Sequence, residues 1–418
     1  MGKLGIGQLN LQGRRVLARV DFNVPTAESE GAVVITDDTR IRATLPTLRA
    51  LIGQGARLIL VSHLGRPEGR PNPGMSLKPL AGHLGTLLGQ PVAFSDSCVG
   101  PDAESAVAAV KPGGVLLLEN VRFYPGEESN EPAFAEALAA HADVFVNDAF
   151  GTAHRAHAST EGVARILRQR GGTCAAGLLM EAELRFLGDE LENPARPFVV
   201  ILGGAKVSDK ILVIDRLLEK ADTLLIGGAM TYTFRLADGR KVGKSLVEPD
   251  KVEVARAALA KARSRGVQML LPTDNIVATP VDTGRLNQKG KPVIGFEQVR
   301  VNDSLDIPDA EEGLDIGPKS MQAFAAAVHG AKTILWNGPM GKFEDPRFAQ
   351  GTEAVARAVV NATQQRGAKS LIGGGDSVKA LNQMGLASQV TFASTGGGAS
   401  LEFLEGRILP GVAALSDA

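Results

Sequence analysis

What this chain lacks narrows its class before any motif is read. Its only two cysteines, Cys98 and Cys174, lie far apart and form neither a CxxC pair nor a zinc-ligand spacing. That argues against a disulfide framework and leaves both expected as buried thiols in a reducing compartment. No apolar stretch approaches the roughly 18 residues that span a bilayer, and the opening MGKLGIGQLNLQGRR lacks the apolar centre of a signal peptide. The cytoplasm is therefore the expected location. A formal net charge of -1 argues against a general nucleic-acid binder, which needs a concentrated basic surface. Any anion site must be local.

Familiar nucleotide and hydrolase signatures are missing as well. Gly239-Arg240-Lys241-Val242-Gly243-Lys244-Ser245 has three residues between its glycines where a phosphate loop needs four, so it reads as a chance match. There is no GxGxxG, which weakens a dinucleotide dehydrogenase reading, and no GxSxG or equivalent acyl-enzyme motif. His154 and His157 have metal-like spacing but no nearby cysteine or carboxylate at ligand distance, so zinc is not expected.

What is present is a pattern of strand ends. The chain has 418 residues, 44% of them hydrophobic and 22% charged, which suits two globular domains without disorder. Short apolar β-branched runs alternate with amphipathic stretches of helical length at Leu45 to Gly53, Leu77 to Leu88 and Pro132 to His141. This is the signature of βαβ units and parallel sheets covered on both faces. The expected fold is α/β, two Rossmann-like doubly wound domains. A helix over Leu178 to Glu192 joins them, with Leu184, Leu187 and Leu191 in helical spacing and Asn193-Pro194 as a stop. The predicted boundaries are 1–177, 178–193 for the joining helix, 194–403, and 404–418 for the C-terminal segment. The polar stretch Gly284 to Lys291 reads as a loop without a role.

In the first half the apolar runs end in Asp21-Phe22-Asn23, Ser62-His63-Leu64-Gly65-Arg66, Glu119-Asn120-Val121-Arg122 and Asn147-Asp148. In the second they end in Gly203-Gly204-Ala205-Lys206, Gly227-Gly228, Asn337-Gly338-Pro339 and Gly373-Gly374-Gly375-Asp376. Ligands of open parallel sheets bind beyond these carboxyl ends. A lone arginine in such a loop is usually solvated or salt-bridged. The convergence of His63, Arg66 and Arg122 beside Asp21 and Asn23, with Arg40, His154 and Arg155 also in or beside polar loops, implies a small, highly anionic, hydroxylated ligand.

The glycine ends suit a polyphosphate. Bare backbone permits close approach, helix N-termini favour anions, and Lys206 and Lys210 would stand one turn apart on one side of a helix. The plain alternative is a tight turn with solvated lysines. Asp376 could hold Mg²⁺ beside phosphates or serve only as an N-cap. Ser394-Thr395-Gly396-Gly397-Gly398-Ala399-Ser400 is a third glycine run before a helical stretch.

At these residues the chain resembles the phosphoglycerate kinase family almost end to end. The segments that carry the match are RVDFNVP (Arg19 to Pro25), SHLGRP (Ser62 to Pro67), ENVRF (Glu119 to Phe123) and NDAFGTAHRAHAS (Asn147 to Ser159). In the second half they are ILGGAKVSDKI (Ile201 to Ile211), GLDIGP (Gly313 to Pro318), WNGPMGKFE (Trp336 to Glu344) and GGGDS (Gly373 to Ser377). The resemblance implies that Asp21, Phe22, Asn23, Arg40, His63, Leu64, Gly65, Arg66, Arg122 and Arg155 contact 3-phosphoglycerate. It implies that Lys206, Lys210, Gly313, Asn337, Glu344, Gly374, Gly375, Asp376 and Ser377 hold Mg-ADP or Mg-ATP, Glu344 at the ribose and Asp376 at the metal. Arg40, Lys206, Lys210, Gly374 and Gly397 would neutralise the group in transit. It further implies a monomer, a C-terminal segment returning to the first domain, and closure by bending near Leu178 to Glu192 and Ser394 to Gly398.

Two departures bear on the nucleotide. Where the family usually reads GGGMAYTF, this chain has Gly227-Gly228-Ala229-Met230-Thr231-Tyr232-Thr233-Phe234, and Lys342 occupies a commonly apolar position. ATP over GTP is therefore open. The different-class alternative is a nucleotide-binding regulatory protein of the same fold without catalysis, which loss of Arg40, Lys206 or Asp376 would have favoured.

Overall fold

A computed structural model describes residues 2–29, 32–287 and 290–418. The chain divides into two compact units, Met1–Gly188 with Gly398–Ala418, and Asp189–Gly397. Each is built on a parallel sheet of six strands.

In the first unit the strands run in the spatial order Val92–Ser95, Val115–Leu118, Arg57–Val61, Arg15–Arg19, Val144–Asn147, Thr173–Ala176. Their near-continuous apolar character follows from burial on both faces. Successive residues serve opposite cores: Leu17, Ile59, Leu116 and Phe145 pack into one, while Val16, Ala18, Leu58, Leu60, Leu117 and Val146 pack into the other. Helices Thr39–Gly53, Lys78–Leu88 and Pro132–Ala139 occupy the expected amphipathic stretches. The returning segment is tied to this unit by backbone bonds from Ser416 N to the Cys174 carbonyl at 2.8 Å and from Gly411 N to the Ala153 carbonyl at 2.8 Å. Cys98 and Cys174 are both free and buried.

In the second unit the order is Gln268–Leu270, Thr223–Ile226, Phe198–Leu202, Thr333–Asn337, Lys369–Gly373, Phe392–Ala393. The segment over 178–192 is helical throughout but not uniform: Leu178–Leu184 and Glu190–Glu192 are α-helical, and Arg185–Asp189 between them is a π-turn. The division between the units falls inside that helix, and the second division falls between Gly397 and Gly398.

Two antiparallel elements escaped sequence reading: the pair Thr26–Ser29 with Ala32–Ile35, and a three-stranded sheet. Asn275–Leu286 pairs with both Pro292–Asn302 and Glu312–Ile316. The expected loop Gly284 to Lys291 is therefore partly strand, since Gly284 to Leu286 extend the hairpin; Gln288 and Lys289 lie outside the described residues. Search for alternating strands and helices hides a hairpin whose strands follow each other directly.

Candidate active site

The first unit gathers its cationic set at the carboxyl ends of three adjacent strands. After Arg15–Arg19 the chain turns so that Phe22 N donates to Ser62 Oγ at 2.9 Å, and Asn23 Oδ1 accepts from Gly65 N at 2.9 Å. These bonds lock the Asp21 and His63 loops together. Arg40, in the first turn of Thr39–Gly53, donates from Nη1 to Asp21 Oδ2 at 2.8 Å, while Asp21 Oδ1 accepts from Asn23 N. Arg122 is buried and held by the Gly65 carbonyl at 2.9 Å and by Glu128 at 3.2 Å. Asn120 Nδ2 donates to the Leu64 carbonyl at 2.7 Å, which fixes the His63–Gly65 turn from below. Arg66 and Arg155 are exposed, and Arg155 Nε donates to His154 Nε2 at 3.1 Å.

Beneath this surface lies a buried polar network that sequence reading did not isolate. Arg19, 1% exposed at the carboxyl end of the strand Arg15–Arg19, donates to Ser159 Oγ at 2.8 Å and lies 3.1 Å from His63 Nδ1. Ser159 in turn donates to the fully buried Glu127 at 2.6 Å, and His157 Nδ1 stands 3.8 Å from the same carboxylate. A guanidinium can only donate, so His63 Nδ1 accepts and its proton sits on Nε2. Burial, and then Arg19, Arg122, Arg40 and His157, hold the His63 imidazole well below its usual pKa. His63 is thus a neutral donor at physiological pH. His157, similarly buried and facing Arg122 and Arg19, is pushed down to about 4. The one available signal for the network was an arginine between Ala18 and Val20 in an apolar run, where an unpaired buried charge is too costly to stand alone.

The second unit lines a cavity of about 320 Å³ with loops from its central strands, among them Gly204, Gly228, Gly313, Glu344 and Asp376. Backbone meets backbone at its floor. A Cβ at Gly203 would stand 2.0 Å from the Pro339 carbonyl oxygen, and one at Gly228 would stand 2.4 Å from Gly204 N. Glycine is required there by contact. Asn337 is 1% exposed; its Oδ1 accepts from Lys210 Nζ, and its Nδ2 is buried with no partner. Gly374 caps the helix Gly375–Gln383 with φ of 82°, Asp376 stands exposed in its first turn, and Ser377 Oγ accepts from Gly338 N at 2.6 Å.

One expectation needs correction. The helix after Phe198–Leu202 begins at Ile211, so Lys206 and Lys210 do not share a helical face. Val207 is fully buried and Glu248 accepts from the Ser208 amide and hydroxyl. These anchors keep the segment as turns, leaving Lys206 exposed and Lys210 only 7% exposed. The division between the units falls just after Gly397, which stays with the second unit, while the helix Gly398–Leu404 belongs to the first. Lys342 lies with its ammonium 4.7 Å from the Phe296 ring centre.

Burial lowers the Lys210 ammonium to about 8, against the opposing pull of Asp209 and Asp376. No group of three or more metal-ligating side chains occurs among the described residues. A single carboxylate at Asp376 beside an anion nest nevertheless fits magnesium, which prefers one or two carboxylates with phosphate oxygens over an all-protein cage.

The family model described as "PGK: Phosphoglycerate kinase" matches residues 6–407. Phosphoglycerate kinase from Synechococcus sp. (strain JA-3-3Ab) is 53% identical over 427 residues, covering 100% of this chain and 99% of the relative. That from Chloroflexus aurantiacus (strain ATCC 29366 / DSM 635 / J-10-fl) is 53% identical over 420 residues, with all of both chains covered. Among solved structures, the phosphoglycerate kinase of Coxiella burnetii superposes with a TM-score of 0.81 at 40% identity, covering 99% of this chain and 98% of that one. The enzyme from Pyrococcus horikoshii OT3 gives 0.80 at 32% identity with the same coverage.

Proposed function

Given that this chain belongs to the phosphoglycerate kinase family, and so exchanges a phosphoryl group between 1,3-bisphosphoglycerate and ADP to give 3-phosphoglycerate and ATP, we propose a division of labour between its strand ends. The cationic ends hold the triose; the glycine ends hold the nucleotide. The observation that carries this reading is the contrast itself: Asp21, Arg40, His63 and Arg122 are interlocked around one set of loops, whereas the other set offers bare backbone, Lys206 and Lys210.

In the direction of ATP consumption the acceptor is a carboxylate, already ionised at neutral pH, so no general base is needed. The work left to the protein is alignment, exclusion of water and neutralisation of charge. Arg122 and His63 are already held by the Gly65 carbonyl and by Arg19, so little ordering cost remains when the triose binds. His63 offers its Nε2 proton as a hydrogen bond and keeps it. Lys206, Lys210 and the amides around Gly374 face the phosphates, with Arg40 at the group in transit, and Glu344 takes the ribose. Magnesium, when bound with the nucleotide, supplies charge neutralisation at the phosphate oxygens, and Asp376 is the residue that would hold it.

The same reading takes the protein as a cytoplasmic monomer. Its support is the family expectation, the two free buried thiols and the lack, among the described residues, of a helix long and apolar enough to cross a membrane.

ATP-dependent consumption of 3-phosphoglycerate, followed through an NADH-linked second enzyme, tests the assignment. No NADH oxidation would leave the inactive nucleotide-binding alternative standing.

Lys210 gives a second check through pH. Its ammonium titrates near 8 in the free protein, and phosphates beside it raise that value. Between about pH 8 and the bound value, nucleotide binding must therefore take up a proton, and affinity must fall as pH rises through this window. Calorimetric titration with ADP at pH 8.5, in buffers of different ionisation enthalpy, should register a large fraction of one proton. Lys210→Gln should abolish the uptake; no uptake by the unaltered protein removes Lys210 from the phosphates.

A further inference from the structure

The turn that carries Lys206 is held from outside by a single side chain. Between the strand Phe198–Leu202 and the helix Ile211–Leu217, residues Ala205, Lys206, Ser208 and Asp209 are exposed, and only Val207 among them reaches the core. Glu248 lies 40 residues beyond Ser208, yet its carboxylate accepts from Ser208 N at 3.0 Å and from Ser208 Oγ at 2.6 Å, and the Val207 amide adds to the same cradle. Among the described residues, no other side chain bonds the backbone of 205–209. Glu248 is itself anchored: its N donates to the fully buried Thr233 hydroxyl at 3.1 Å, and Lys251 N closes a turn onto its carbonyl at 3.0 Å. Burial pushes the carboxyl up, but the Ser208 hydroxyl and amide, the Val207 amide and Lys206 together hold it below its usual pKa.

We propose that Glu248 is a positioning residue for phosphoryl transfer, a strut that fixes the Lys206 turn without touching the nucleotide. The inference rests on the placement of Lys206 at the phosphates made above. Glu248 does not line the cavity of the second unit, so it acts through the turn. Lys206 makes no hydrogen bond or ion pair of its own among the described residues, and the direction of its ammonium is therefore set by the backbone beneath it. Without the strut, only Val207 and the flanking elements restrain that backbone. Every conformation the turn gains is one from which Lys206 must be recovered before transfer. Charge-assisted bonds to Ser208 remove this freedom in advance, so the ordering cost is met before the nucleotide arrives. The Val207 and Ser208 amides are meanwhile filled by the protein's own carboxylate, which leaves the ammonium groups as the turn's offer to an anion.

A double-mutant cycle on the full-length protein tests this, with kcat and both KM values from the coupled assay, an unfolding curve for each variant, and amide exchange at Ser208 without nucleotide. Glu248→Ala should lower kcat about tenfold while KM for 3-phosphoglycerate stays within about twofold. Exchange at Ser208 should quicken, and the unfolding temperature should move by only a few degrees. Glu248→Gln, which keeps one acceptor oxygen and loses the charge, should recover part of the rate. On a Lys206→Ala background, Glu248→Ala should cost no further rate, because the strut has nothing left to position. Normal kcat in Glu248→Ala, whatever its stability, overturns the proposal, and so do losses that add across the cycle. Full turnover in Lys206→Ala alone would instead remove Lys206 from the phosphates, and the role of Glu248 with it.

Discussion

Arg40→Ala should lower kcat by at least about a hundredfold while the protein remains folded. Arg40 sits in the first turn of its helix and donates to Asp21 across 2.8 Å, with its side chain about a third exposed. It is held at its base yet open to a ligand. One cation facing a transferring phosphoryl group can contribute about 10³ to 10⁵ in rate, against which the ion pair to Asp21 is a small matter for stability, because partly exposed pairs contribute roughly 0 to 1 kcal/mol. The two quantities separate the roles. Thermal unfolding should move by only a few degrees, while kcat collapses. Arg40→Lys, which keeps the charge but not the fork, should recover part of the rate. Near-normal turnover in Arg40→Ala removes the residue from the chemistry.

Lys206→Ala should produce a loss of similar size with even less structural effect. Lys206 is exposed and forms no hydrogen bond or ion pair among the described residues, so its removal should leave stability within about 0.5 kcal/mol. Among the described residues its one influence on the fold is a weak electrostatic one, on Glu248. Lys210 differs: its buried ammonium donates to Asn337 Oδ1, and its loss would strand that oxygen. A variant at position 206 is therefore the cleaner probe, read by kcat in the coupled assay beside an unfolding curve. A fall in stability with unchanged kcat would make Lys206 a structural residue.

Strand ends were legible because their chemistry is local. A run such as FVVIL must be buried on both faces, and the residues after it must emerge at the sheet's edge, so Gly203, Asn337 and Gly373 could be placed from sequence alone. The network of Arg19, Ser159 and Glu127 was not legible, since its members come from a strand, a π-turn and a short helix more than thirty residues apart at their closest in sequence. The antiparallel hairpin was missed for another reason: its strands follow each other without the intervening helix that marks the parallel sheets. Lys206 and Lys210 failed differently. Their spacing suits a helix, but a buried Val207 and the bonds to Glu248 override it locally.

The mutual contact of Gly203, Gly228 and the Asn337–Pro339 turn has a dynamic consequence. Gly204 N donates to the Pro339 carbonyl, Gly228 N to the Met340 carbonyl, and Met230 N to the Gly204 carbonyl. Three loops from three strands thus share one set of hydrogen bonds, with no side chain between them to absorb a displacement. They must open and shut as one, so an anion that orders any one of them orders all three, and amide exchange in the three turns should slow in concert instead of loop by loop.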